Sequence, residues 1–126
     1  MPREITTHKI DGLPEPLRIL VADEPGQGYA CHEYRISWGN SAQDLGADNP
    51  MIIKFQNGPI SESGVNGLSN ESLLAIVLDR LEGFQSGPFA CKENQHALEA
   101  VREAMAALHF RTAERLLRRV EGKNEV

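Results

Sequence analysis

Apolar positions in the second half of the chain fall at helical intervals. Leu73, Ile76, Val77, Leu81 and Phe84 recur in three- and four-residue steps, and Leu98, Val101, Met105 and Leu108 repeat the spacing further on. Ser69 stands where its hydroxyl can accept a free amide of a first helical turn, and Glu71 suits the positive end of the helix dipole. These signals predict a helix over 70–85, stopped by Gly87-Pro88, because proline lacks a donor and restricts the residue before it. A second helix is predicted over 91–120, with Ala97, Ala104, Ala106 and Ala107 permitting close approach, so that the two form an αα-hairpin. At ~1.5 Å per residue the arms measure about 25 and 45 Å, and roughly 20 Å of the longer one has no partner in the shorter. That overhang carries Leu116, Leu117 and Val120. It requires cover from the N-terminal part or from another subunit, and an oligomer is expected.

Before residue 65 the pattern changes. Glu4 to Lys9, Leu17 to Ala22, Tyr29 to Trp38 and Met51 to Gln56 are short runs containing Ile, Val, Thr, Tyr or Trp, separated by turn signals such as Asp11-Gly12 and Glu24-Pro-Gly-Gln-Gly28. Tyr34-Arg-Ile-Ser-Trp38 alternates, placing Tyr34, Ile36 and Trp38 on one face, as a sheet with one covered side requires. The expected class is α+β: a small N-terminal antiparallel sheet over 1–64 followed by a long C-terminal αα-hairpin over 65–126, in a single domain of 126 residues and oligomeric.

Composition narrows the function classes. One Trp, two Tyr and four Phe make an aliphatic, thin core. No apolar run approaches the roughly 18 residues that cross a bilayer, and Met1-Pro-Arg-Glu-Ile-Thr6 lacks the layout of a secretory signal, so a soluble cytosolic protein without membrane contact is expected. Cys31 and Cys91 form neither a Cys-x-x-Cys pair nor a disulfide framework and read as buried or inert thiols. The net charge is -5, but Arg111, Arg115, Arg118, Arg119 and Lys123 stand against only Glu114 and Glu121, a local excess of three that leaves the remainder at -8. An acidic body argues against duplex nucleic acid as a partner, while the cationic patch suits a small phosphorylated ligand.

Several spaced motifs, in order, carry a family resemblance. They are Phe55-Gln-Asn-Gly-Pro-Ile60, Gly64-Val-Asn-Gly67, Glu71-Ser-Leu-Leu-Ala-Ile76, Asp79-Arg-Leu81, Gly83-Phe-Gln-Ser-Gly-Pro-Phe-Ala-Cys-Lys-Glu-Asn94, Arg111-Thr112 and Val120-Glu-Gly122. Over residues 51–122 the chain resembles the helical-hairpin family of phage-encoded nucleotide sponges, which includes Thoeris anti-defence and anti-CBASS types. The tail departs from the family pattern at Gly122-Lys-Asn124, where the family has Gly-Thr. The resemblance implies a non-catalytic protein, without cofactor, that acts in the host bacterial cytoplasm. It would bind a cyclic nucleotide second messenger of bacterial immunity and hold it from its effector: a cyclic ADP-ribose isomer for the Thoeris type, and cyclic oligonucleotides at a separate site in some relatives. It also implies self-association from dimer to hexamer. By the same resemblance Phe84 and Asn94 surround the ADP-ribose-type ligand, and Arg111, Thr112 and Arg115 are phosphate or base contacts.

The residue chemistry is compatible with that assignment, with a structural reading beside each residue. Phe84 ends an apolar stripe at a Gly/Pro break, where its ring either stacks on a base or fills the core. Asn94, in the first turn of the second helix, either reads a base edge or satisfies backbone groups. Arg111, Arg115 and Arg118 share one helical face and can grip phosphate oxygens bidentately; the same spacing suits a solvated stripe at the helix's negative end. Gly58 to Gly67 lacks the Lys-Ser/Thr of a phosphate loop and reads as turn glycines, and neither His8 and His32 nor His96 and His109 make a metal pair. Cys91 and His96 are poorly directed for nucleophilic catalysis. The alternative is an oligomeric protein-binding module whose Leu116 and Leu117 dock a host partner directly.

Overall fold

A computed structural model describes residues 3–39, 46 and 49–121, with the side chains of Gln27 and residues 119–121 outside that description. The expectations on the Arg119 and Val120 side chains and on Gly122 and Lys123 therefore fall outside that description. The class is α+β, with the sheet first and the helical hairpin second. The chain forms two compact units, Met1–Ser69 and Asn70–Val126.

The first unit is an antiparallel meander, β1 (Arg3–Ile5), β2 (Arg18–Val21), β3 (Glu33–Ser37) and β4 (Met51–Lys54), in chain order. Its register sets Tyr34 opposite both Val21 and Ile53, and Ile36 opposite Ile19 and Met51, so the alternation seen in the sequence lines one face. Val21 is 1% exposed at the centre of that face, Cys31 is buried nearby in the chain, and the rings of Tyr34 and Phe55 meet edge to face at 5.6 Å. The strands are shorter than their β-forming runs. Tyr29, expected to open β3, instead ends a 3-10 turn over Gln27–Tyr29 at φ 66° and is almost fully exposed. The Gly26 amide donating to the Ala30 carbonyl at 2.8 Å closes that turn, and the strand can start only after it.

From Phe55 to Leu68 the chain leaves the sheet and returns, through a one-turn helix, α1 (Ile60–Ser63). The return is ladder-like: Leu68 N–H donates to Lys54 C=O at 2.8 Å and Gln56 N–H to Leu68 C=O at 2.9 Å. This moves the boundary between the units from the expected 64/65 to 69/70, because residues 65–69 are bonded back to the sheet unit. Two side-chain amides, those of Gln56 and Asn66, brace the loop. Gln56 Nε2 donates to Gly58 and Gly64 carbonyls at 3.1 and 2.8 Å while its Oε1 accepts the Asn66 amide at 3.0 Å. Asn66 in turn exchanges two 2.8 Å bonds with the backbone of Asn57. Gly58 and Gly64 adopt φ 88° and 70°, which glycine alone tolerates cheaply, in agreement with their reading as turn glycines. Gly67 is required for a different reason: a Cβ there would lie 2.6 Å from the Phe55 carbonyl oxygen.

The second unit pairs α2 (Asn70–Gln85) with α3 (Lys92–Glu121). Both lie within a residue of the expected bounds, since the stop at Gly87-Pro88 is local chemistry. Leu98, 3% exposed, is the centre of the seam, with Val101, Met105 and Leu108 half-buried along α3. The facing stripe on α2 agrees with the expected one in part: Leu73 and Leu81 are half-buried as expected, but Leu74 and Leu78 are half-buried beside them, whereas Ile76, Val77 and Phe84 are exposed. Both stripes have helical period, and only the partner decides which is covered. Of the four alanines expected to admit close approach, Ala97 is half-buried and Ala104, Ala106 and Ala107 are exposed. Arg102 Nη2 reaches across to Glu82 at 2.9 Å, and Gln85 Nε2 donates to Gln95 Oε1 at 3.2 Å near the turn. Among the described residues no helix is long and apolar enough to cross a membrane.

Two glycine substitutions test this account in opposite directions. Gly67→Ala should cost about 1–3 kcal/mol or more, because the added methyl meets backbone that cannot yield. Gly83→Ala, where a Cβ meets nothing within 4 Å inside α2, should stabilise by about 0.5–1 kcal/mol. Urea unfolding followed by circular dichroism measures both; a tolerated Gly67→Ala would contradict the closed loop.

Candidate functional site

The residues singled out by sequence separate into two groups at opposite ends of α3. Phe84 lies one position before the end of α2, and Asn94 is the third residue of α3, so both stand at the turn of the hairpin beside the Gln85–Gln95 bond. Arg111, Thr112, Arg115 and Arg118 lie towards the other end of α3. At ~1.5 Å per residue Asn94 and Arg111 are about 25 Å apart along the axis, too far for one small ligand to touch both in a single chain.

At the turn end Phe84 is 43% exposed, and the Arg80 guanidinium, one helical turn earlier, lies 5.6 Å from its ring centroid. A cation over one face holds the ring and leaves it amphipathic. Arg80 was not singled out from the sequence, although its four-residue spacing from Phe84 is the signal that finds it. Asn94 is half-buried, and its backbone amide donates to Cys91 Sγ at 3.4 Å. Of the two thiols expected to be buried or inert, Cys91 is exposed, and its sulfur caps the start of α3. Gln85 Oε1 accepts the Cys91 amide at 3.0 Å, so side chains of the hairpin turn itself satisfy amides there.

At the far end Arg111, Thr112, Arg115 and Arg118 are all exposed, with Phe110, Leu116 and Leu117 interleaved and also exposed. The three arginines make no ion pair with any described residue. Spaced at i, i+4 and i+7 on one face, they form a cationic strip open to an anion.

The sheet unit contributes a cavity of about 280 Å³ that sequence reasoning did not find, between Asp23, His32 and Glu33 on one side and Lys54, Asn57 and Asn66 on the other. The Asp23 carboxylate accepts the His32 amide at 2.9 Å and the Glu33 amide at 3.1 Å. The His32 amide bond, then that of Glu33, hold its pKa below the usual 3.8 against the opposing effect of desolvation. No periodic signal marks this pairing, since its partners are nine and ten positions apart. Among the described residues no group of three or more His, Cys, Asp or Glu side chains is placed to hold a metal ion.

An α+β chain with an exposed helical hairpin, aromatic at one end and cationic at the other, is the class that fold and site define. A profile described as Acb2/Tad1, hairpin domain, matches residues 48–113, and the chain belongs to that family. Phe84, Asn94, Arg111 and Thr112 fall inside the matched span, and Arg115 and Arg118 lie beyond it. Thoeris anti-defense 1 from Bacillus phage SBSphiJ7 is 48% identical over 73 residues, which are 58% of this chain and 51% of that protein. The chain therefore spans about half the length of the curated relative it matches.

The Asp23 contacts carry a pH dependence. A carboxylate held below its unfolded value stabilises the fold above that unfolded value, and the contribution is lost as pH falls through the lowered folded one. Asp23→Ala should lower the thermal midpoint at neutral pH and lose part of the wild-type decline below the ordinary carboxylate value of 3.8. Melts followed by circular dichroism from neutral to acid pH check this; parallel profiles for the two proteins would count against it.

Proposed function

We propose that this chain is a phage anti-defence protein that binds a cyclic nucleotide immune signal and sequesters it without chemical change. Its family membership and its similarity to a relative named Thoeris anti-defense 1 support an anti-Thoeris role inside the host cell. The signal is then a cyclic ADP-ribose isomer, with cyclic oligonucleotides of the CBASS type as a second class. The observation that carries the reading is the exposed Phe84 ring with Arg80 on one face and Asn94 at the same end of the hairpin. A half-exposed aromatic beside a cation and an amide supplies stacking, charge and edge recognition for one adenine-containing ligand. The binding is non-catalytic: Phe84 stacks, Asn94 orients, and neither has a proton or electron pair to deliver at neutral pH.

The strip of Arg111, Arg115 and Arg118, which pairs with no acidic group among the described residues, takes with Thr112 the phosphates of a cyclic oligonucleotide about 25 Å away along α3. Leu116 and Leu117, each more than half exposed, are covered by a second copy of the chain, in assemblies from dimer upwards. An oligomeric module that docks a host protein directly through the same leucines is the competing reading, and it predicts no ligand-dependent rise in the melting temperature of the purified protein.

Titrations of each ligand class against folded variants test this assignment. Phe84→Ala should weaken binding of a cyclic ADP-ribose isomer by about 1–3 kcal/mol, or roughly one to two decades in affinity, and Asn94→Ala should weaken the same ligand. Arg111→Ala with Arg115→Ala should abolish cyclic-oligonucleotide binding and leave the ADP-ribose-type ligand largely unaffected. Undiminished binding in every folded variant would place the sites elsewhere. For assembly, light scattering should report a dimer or larger, shifted towards monomer by Leu116→Asp and Leu117→Asp together; a wild-type monomer would refute it.

A further inference from the structure

The loop that returns from Phe55 to Leu68 contains two Asn-Gly steps, Asn57-Gly58 and Asn66-Gly67, and it holds them in opposite ways. In such a step the backbone nitrogen of the glycine can attack the asparagine Cγ, since no side chain on the glycine hinders the approach. The new N–Cγ bond closes a succinimide while the Cγ–Nδ2 bond breaks. Ammonia leaves with the proton given up by the glycine N–H. Water then opens the ring at one of its two carbonyls, leaving aspartate or isoaspartate, and nothing but water is consumed.

The Asn66 carboxamide is held on both sides: Oδ1 accepts the Asn57 amide and Nδ2 donates to the Asn57 carbonyl, each at 2.8 Å. It must leave both partners before its Cγ can turn towards the Gly67 nitrogen. The Asn57 carboxamide is exposed and bonded to no described residue, and the Gly58 amide likewise donates to none. We propose that Asn57 is a site of spontaneous deamidation and that Asn66 is protected until Asn57 has reacted.

The order follows from the bonds. Both partners that hold the Asn66 carboxamide belong to the backbone of Asn57. Conversion of Asn57 to isoaspartate reroutes the main chain through the former side chain and turns that carbonyl into a free carboxylate. The carbonyl that Asn66 Nδ2 meets is thereby lost as a fixed acceptor, and the second step is released. Either product also adds a carboxylate to the cavity beside Asp23 and Glu33, where Lys54 is the one cation among the lining residues.

The full-length chain, incubated in mildly alkaline buffer and sampled over days, should be digested and read by fragmentation spectra that separate positions 57 and 66. Asn57 should convert first, roughly tenfold or more faster than Asn66, given two hydrogen bonds to break at the second site. In concentrated urea the two rates should converge. Asn57→Gln, which closes the corresponding ring far more slowly, should leave Asn66 intact over the same period in the folded protein. Equal rates in the native chain, conversion of Asn66 first, or an Asn57 that reacts only in urea would each overturn the proposal.

Discussion

The length mismatch between the hairpin's two helices organises the second unit. α2 has 16 residues and α3 has 30, so a seam centred on Leu98 covers only the first part of α3. A helix draws most of its stability in a protein from the face it buries. Residues 109–118 are exposed within this chain, apolar and cationic alike. Their exposure leaves Arg111, Arg115 and Arg118 free to meet an anion, and leaves Leu116 and Leu117 in want of cover. The same mismatch sets the aromatic and cationic ends far apart, which is why the proposed function assigns them separate ligands.

The sheet unit depends on a different device. Two amide side chains, Gln56 and Asn66, and the backbone groups they satisfy close a segment that has little apolar content to bury. Buried or half-buried polar groups are tolerable when paired, and here the pairing itself defines the path. Gly67 completes it by letting the returning strand press on Phe55. The motifs Phe55-Gln-Asn-Gly and Val65-Asn-Gly that carry the family resemblance thus have a structural explanation that requires no ligand.

How much of this was legible in the sequence differs by element. The helix bounds were, because Ser69 directly precedes α2 and Gly87-Pro88 lies just beyond its end, and signals of that kind act locally on the backbone. The covered face of α2 was legible only in part: Leu73 and Leu81 are covered as expected, but Leu74 and Leu78 take the place of Ile76, Val77 and Phe84, and a hydrophobic pattern does not name its partner. The strand content of Tyr29 was overridden by a glycine-rich turn that needs positive φ at two successive residues. Of the candidate residues, the arginines share a helical face that their spacing marks, while Phe84 and Asn94 are singled out by the family resemblance. Arg80 and the Asp23 cavity could not be placed without the fold, since one depends on which face is open and the other on contacts between distant strands.

The central claim is that ligand is held and not consumed, and recovery of bound nucleotide tests it most directly. The protein is mixed with a cyclic ADP-ribose isomer, separated from free ligand by filtration, and heated to unfold it, after which the released nucleotide is analysed by chromatography and mass spectrometry. The expected result is depletion of the nucleotide from the filtrate and its return, unmodified, on denaturation. Release of a hydrolysed or rearranged product, or no depletion at protein concentrations above that of the ligand, would contradict the account.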